Sequence, residues 1–230
     1  VTLSIIPVTG IGEVRPGDEL AELIAHATTL LDGDCLVVTQ KVVSKVENRL
    51  VPLAPDDMAG RRALVESESV RIVRRRGDLI ISETRHGFVC ANAGVDLSNV
   101  EEGWAALLPV DADRSAKHIR DALRARAGVE VAVIVSDTFG RPWRQGLTDV
   151  AIGVSGIAAV LDLRETEDAL GQTLHVTEVA IADEIASAAE LVMGKAAGIP
   201  AAIVRGLEPA WFRDGSVREL IRPTHEDLFR

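Results

Sequence analysis

Short apolar, β-branched runs recur along the chain, among them LSIIPV, CLVVTQ, VEVAVIVSD and IPAAIVRG, with amphipathic helical patterns between them. This mixing predicts an α+β (mixed α/β) fold, because segments of period two and period 3.6 must be packed as separate layers around shared cores. No repeat of 20–50 residues and no low-complexity linker interrupts the pattern. Residues 1–230 are therefore expected to act as one functional unit, with a division into two lobes as the alternative. At 47% apolar and 26% charged, the chain can bury a sizeable core and is too apolar for disorder. That apolar share is generous for a single body of this size and points to an oligomer interface.

LSIIPV reads as a strand running into the turn TGIGEVRPGD, with Asp18 capping the helix ELAELIAHATTLL. CLVVTQKVVSKV reads as one buried strand with Ser44 and Lys45 at its far end. Pro55-Asp56-Asp57 opens a second helix, expected to finish in Arg74-Arg75-Arg76-Gly77, where bases suit the helix dipole. A phosphate contact is the other reading of those arginines. DLIISET and GFVCANAGVD form a hairpin about Arg85-His86-Gly87, and SAKHIRDALRARAG is a helix with a serine cap and a closing glycine. VEVAVIV is a strand ending in Ser136-Asp137-Thr138, VAIGVSGIAAVLDL one or two more strands, and VTEVAIADEIASAAELVMGKAAG the longest helix.

Charge and cysteine content narrow the function classes. With 25 basic against 35 acidic residues the net charge is −10, the wrong sign for a general nucleic-acid binder. Cys35 and Cys90 both sit in apolar segments and are expected to be buried thiols. Two cysteines and five histidines without HExxH spacing build no zinc site. The longest uncharged stretch, Val150 to Leu161, is well short of the ~20 residues of a membrane helix. No secretory leader is visible, so a cytoplasmic location is expected. GxxxxGK[ST] and GxSxG are missing, and Gly10-Ile11-Gly12 lacks the third glycine of a dinucleotide fingerprint.

The remaining polar residues gather at the ends of apolar strands, where open sheets place ligand sites. Ser136-Asp137-Thr138, followed by two arginines in FGRPWRQG, could hold a hard cation and a phosphate together, or form an ordinary turn. Asp96, in AGVDLSN, could share that cation with Asp137, and Asn99 could read a base or sugar edge; an Asx-type turn explains the same letters. The glycine-rich TGIGEV could bring backbone N–H groups to an anion, and Lys45 could be a point charge for phosphate or a solvated side chain.

In this order, PVTGIGEVRPGDEL, VVTQKVVSKVE, CANAGVDLSNV, IVSDTFGRPWRQGLTDVAIG, VTEVAIADEIASAAELVMGK and the closing DLFR resemble the coenzyme F420-0:L-glutamate γ-ligase family. The similarity covers essentially the whole chain, and the SDTFGRPWRxGxTDVAIG stretch is highly specific. The resemblance implies a GTP-driven ligase that attaches L-glutamate to the carboxylate of the deazaflavin precursor F420-0 through a γ-linked amide. It implies a mixed α+β fold, an intimate homodimer, a site in a groove near the dimer contact, and Mg2+ or Mn2+, with K+ as a further cation. Carried over by position, Asp96, Asp137 and Thr138 resemble the metal ligands. Ile11, Gly12, Glu13 and Val14, with Gln40, Lys45 and Asn99, resemble the nucleotide-contacting set, and Met193, Gly194 and Lys195 a further nucleotide-side segment. Two positions depart from the family pattern: Lys195 stands where archaeal members have a glutamine that assists a metal, and Gln40 replaces a smaller hydroxyl residue.

Amide synthesis needs an activated carboxylate, which GTP can supply as an acyl phosphate; cations and bases stabilise such phosphoryl transfer, so no nucleophile motif is required. No residue is singled out as the catalytic acid or base. The alternatives are a metal-dependent phosphotransferase or nucleotidyltransferase acting on another small anion, and the ligase half of a bifunctional flavoenzyme.

Overall fold

The computed structural model describes residues 2–228, so Phe229 and Arg230 of the closing DLFR lie outside the described residues. The elements run β1 (Ser4–Pro7), α1 (Leu20–Ala27), β2 (Cys35–Thr39), α2 (Gln40–Val46), β3 (Leu50–Pro52), α3 (Met58–Ser67), β4 (Ser69–Arg76), β5 (Leu79–Thr84) and β6 (Val89–Ala91). They continue with β7 (Trp104–Ala106), α4 (Ala112–Ala127), β8 (Ala132–Arg141), β9 (Arg144–Ser155), β10 (Leu161–Asp162), β11 (Glu178–Val179), α5 (Ile181–Met193) and β12 (Ala201–Arg205). Helices and strands are mixed throughout, as an α+β fold requires.

Five strands form the central sheet in the order β1-β12-β2-β8-β9. Only β2 and β8 are parallel; the other neighbours are antiparallel. Strand alternation sends Val133 and Val135 of β8 into a core with α1, α2 and α4, and Ala132 and Ile134 into a second core beneath α5. A third, smaller core under α3 is closed by the meander β4-β5-β6 and the pair β3-β7. Cys35 and Cys90 are buried free thiols, and burial raises both pKa values, that of Cys90 to about 12. No helix among the described residues is long and apolar enough to cross a membrane.

Several boundaries correct the sequence expectations. The run 35–46 is not one strand: β2 stops at Thr39 and α2 begins at once, so Ser44 and Lys45 sit on a helix. Gln40 and Ser44, one helical turn apart, are joined by an Nε2-to-Oγ bond of 2.6 Å, and both donate to the Leu107 carbonyl. That pairing exists only at helical spacing. Arg74-Arg75-Arg76 does not end a helix either. The helix closes at Ser67, and the β-branched Val70, Ile72 and Val73 carry β4 through the arginines to the turn at Gly77. Asp18 caps no helix; its carboxylate takes the Arg15 N–H at 2.8 Å. In α4 the cap is Asp111, accepting from the Arg114 N–H at 3.0 Å, which leaves Ser115 inside the helix. α4, at 16 residues, is longer than α5 at 13. Gly128, in the left-handed region at φ 70°, ends α4 as expected.

Candidate active site

The parallel pair β2 and β8 creates the site. β2 ends at Thr39, whereas β8 runs on to Arg141 against β9. The sheet therefore loses a strand just past Ser136, beside Asp137 and Thr138, and all three residues lie within a strand and not in a turn. A cavity of about 840 Å3 opens there, at the carboxyl ends of the two parallel strands. That volume accommodates a small-molecule ligand of nucleotide size.

Twelve of the thirteen positions singled out from the sequence line it: Ile11 to Val14 on one wall, Gln40 and Lys45 from α2, Asp96 and Asn99, Asp137 and Thr138 from β8, and Gly194 and Lys195. Met193 does not. It is fully buried in the core beneath α5, so its side chain packs the helix and leaves the ligand space to its two successors. Gln40 is also almost fully buried; its Oε1 has no hydrogen-bond partner, an acceptor free for a ligand N–H or a water. Lys45 Nζ is held by Glu13 Oε1 at 2.6 Å across the cavity mouth.

Reasoning from sequence passed over Lys41, Ser98, Asp149 and Glu190. Asp149 is the most central of these, almost wholly buried on β9. Ser136 Oγ donates to its Oδ2 at 3.0 Å and Thr138 Oγ1 to its Oδ1 at 2.6 Å. Lys195 Nζ lies 3.2 Å from the same Oδ1, contacts Thr138 Oγ1, and stands 3.6 Å from Glu190. An acid inside an apolar strand run (TDVAIG) was the available signal, since such a carboxylate must be paired or functional. Lys41 is the matching base at the other end, 2.9 Å from Asp96 and 2.6 Å from Ser98 Oγ, while the Ser98 N–H donates to Asp96 Oδ1 at 2.8 Å.

The acids fall into two groups because β8 alternates. Asp137 continues the row of Val133 and Val135 on the α4 side, where its charge interacts with Asp96. Ser136 and Thr138 continue the row that faces α5, where they bind Asp149. The extra residue Ile152 forms a bulge in β9 and leaves this alternation of β8 intact. The electrostatics differ accordingly. Burial pushes the Asp137 carboxyl up to about 7, and the charges of Asp96 and Asp149 add to that, against the opposing Thr138 N–H. Burial also pulls on Asp96, but the Ser98 N–H and the Lys41 ammonium outweigh it and hold that carboxyl below its ordinary value. Glu190 is raised by burial and by Asp149, despite Lys195.

Among the described residues no three His, Cys, Asp or Glu side chains form a ready ligand cluster. Consecutive ligands on one strand point apart, so Asp137 and Thr138 cannot close one cage with Asp96. The donor set is nonetheless all oxygen and anionic, which suits Mg2+ or Mn2+ bound through one or two carboxylates with water and phosphate completing the shell.

A family model described as F420-0:gamma-glutamyl ligase matches residues 10–206, which include every cavity position named above. The chain belongs to that family. It is 46% identical to the coenzyme F420:L-glutamate ligase of Methanothermobacter thermautotrophicus, covering 99% of both chains. The protein of the same name from Methanopyrus kandleri is also 46% identical, covering all of this chain and 98% of the relative. That from Archaeoglobus fulgidus is 39% identical over 99% of this chain and 96% of its own length.

Proposed function

We propose that this chain is a GTP- and divalent-cation-dependent ligase that joins L-glutamate to the carboxylate of coenzyme F420-0. The observation that carries the reading is near-full-length membership of the family, with its match spanning a single cavity that combines buried carboxylates and lysines. A carboxylate oxygen of the acceptor attacks the γ-phosphorus of GTP, GDP leaves, and an acyl phosphate results. The glutamate amine then attacks the acyl carbon, phosphate leaves, and the amine proton passes to a base.

Asp96 with Asp137, and Asp149 with Thr138, are the residues that would hold Mg2+ or Mn2+, with K+ a further candidate. Bound there, such a cation supplies charge neutralisation for the phosphoryl group. Lys45, released from Glu13 by a competing phosphate, offsets the same charge from α2. Lys195 holds an ammonium between Thr138, Asp149 and Glu190, a protein-borne positive charge on the α5 side of the site. Gly10, at φ 85°, lets the 10–14 segment turn its backbone toward the cavity. An enzyme working as a homodimer is part of this reading, supported by the exposure of Trp143 (81%) and Leu147 (68%) on the β8-β9 ribbon.

Sustained, multiple-turnover release of GDP should require F420-0, L-glutamate and a divalent cation together. Multiple-turnover GDP release in the absence of glutamate, with a stable phosphoryl group accumulating on the acceptor, would mark a phosphotransferase and overturn the ligase reading.

A further inference from the structure

A second cavity, of about 920 Å3, lies on the α4 side of the sheet and shares no lining residue with the first. Its walls come from the start of α4, β9 beyond Ile152, the turn at 85–88 and the segment 214–224. We propose that it binds a small anionic ligand carrying a phosphate group. This does not rest on the ligase reading, which places its reacting groups in the other cavity.

Charge is the first argument. Arg114, Arg218 and Arg222 line the cavity, and among the described residues none of the three has an acid within ion-pair range. On a chain of net charge −10, three unneutralised guanidiniums around one hollow run against the overall field. Of the three acids that line the cavity, Asp214 forms no ion pair with these arginines among the described residues, and the other two are held elsewhere. Asp113 is committed to the Ser216 hydroxyl at 2.7 Å and the backbone N–H groups of Val154 (2.7 Å) and Val217 (3.1 Å), and Asp111 caps α4. Guanidinium groups favour phosphate because their forked N–H donors match its oxygens.

The floor gives the second argument. His86 lines the cavity and stacks on Phe88 at 5.6 Å between ring centres. Its Nε2 lies 2.9 Å from the Pro109 carbonyl and must therefore carry the proton, leaving Nδ1 buried without a partner. A buried unsatisfied ring nitrogen on a cavity wall is an atom that a ligand or an ordered water completes. Apolar Phe88, Ile152 and Val217 beside it provide a face for the uncharged body of a ligand. The site is thus a basic rim over an apolar floor, the usual build of a small-molecule pocket.

Inorganic pyrophosphate is the probe, titrated calorimetrically into the full chain with and without saturating GDP. The wild type should bind it saturably in both cases. Arg114→Gln/Arg218→Gln should weaken that binding at least tenfold while leaving GDP affinity and the melting temperature unchanged. Arg222→Gln alone should show a smaller loss in the same direction, which guards against a double variant that folds poorly. F420-0 should leave the pyrophosphate affinity unchanged, because its reacting carboxylate belongs to the other cavity; competition by F420-0 would overturn the proposal of a separate phosphate site. Absence of saturable binding, displacement by GDP, or indifference to all three arginines would overturn the proposal.

Discussion

Lys45 and Lys195 both spend their charge on acids of the same cavity, yet their settings differ. Lys45 pairs with Glu13, whose side chain is 70% exposed, so that bond is worth little and an incoming phosphate can displace it. Lys45→Ala should therefore leave the fold intact and lower kcat/KM for GTP, by about 2–4 kcal/mol of apparent transition-state stabilisation; an unchanged value would make the lysine a surface pair only. Asp137 makes a prediction about pH. Its folded pKa of about 7 lies above the ordinary 3.8, so between those values the folded chain holds a proton that the unfolded chain has lost. The penalty for ionising Asp137 is thus absent below pH 3.8, grows as pH rises, and is complete above about 7. Without ligands or cations, Asp137→Asn should melt higher than the wild type at pH 8, and the gap should close toward pH 4. A gap that does not change with pH would remove the assignment.

At the scale of elements, the long ribbon β8-β9 positions most of the chemistry, and α4 is pressed against it. A Cβ on Gly153 would fall 2.3 Å from the Ala112 carbonyl oxygen, backbone that cannot step aside without moving the start of α4. Gly153→Ala should lower stability by roughly 1–3 kcal/mol, read as a fall in melting temperature, through this overpacking; a neutral result would mean the helix start yields freely. The ribbon also shows what the sequence made legible. VEVAVIV was readable as a strand from its β-branched residues, but nothing in SDTFGR marks where pairing stops, because continuation depends on β9 folding back alongside. The run 35–46 failed for a related reason: Val42 and Val43 are apolar in either conformation, and only the Gln40-Ser44 contact with Leu107, 63 residues beyond Ser44, selects the helix.

For the whole molecule, the interleaving of strand and helix patterns showed the mixed architecture, and the carboxylates Asp96 and Asp137, read as strand ends, were visible as residues that needed partners. Which residues share the cavity was not visible from composition or spacing, since Ile11, Asp96, Asp137 and Lys195 lie on four separate segments that only long-range packing brings together. Their grouping came from family resemblance, and that same resemblance included Met193, which packs the core, and passed over Asp149, which anchors the α5 side of the site. The proposed homodimer belongs to this scale too. Sedimentation at micromolar concentration should give twice the chain mass, and a monomer there would contradict it. The central claim is tested most directly by mass spectrometry of the acceptor after incubation with GTP, L-glutamate and Mn2+. The product should be F420-0 heavier by whole glutamyl residues, with one GDP formed for each residue added. F420-0 recovered unchanged, or carrying phosphate alone, would contradict the account.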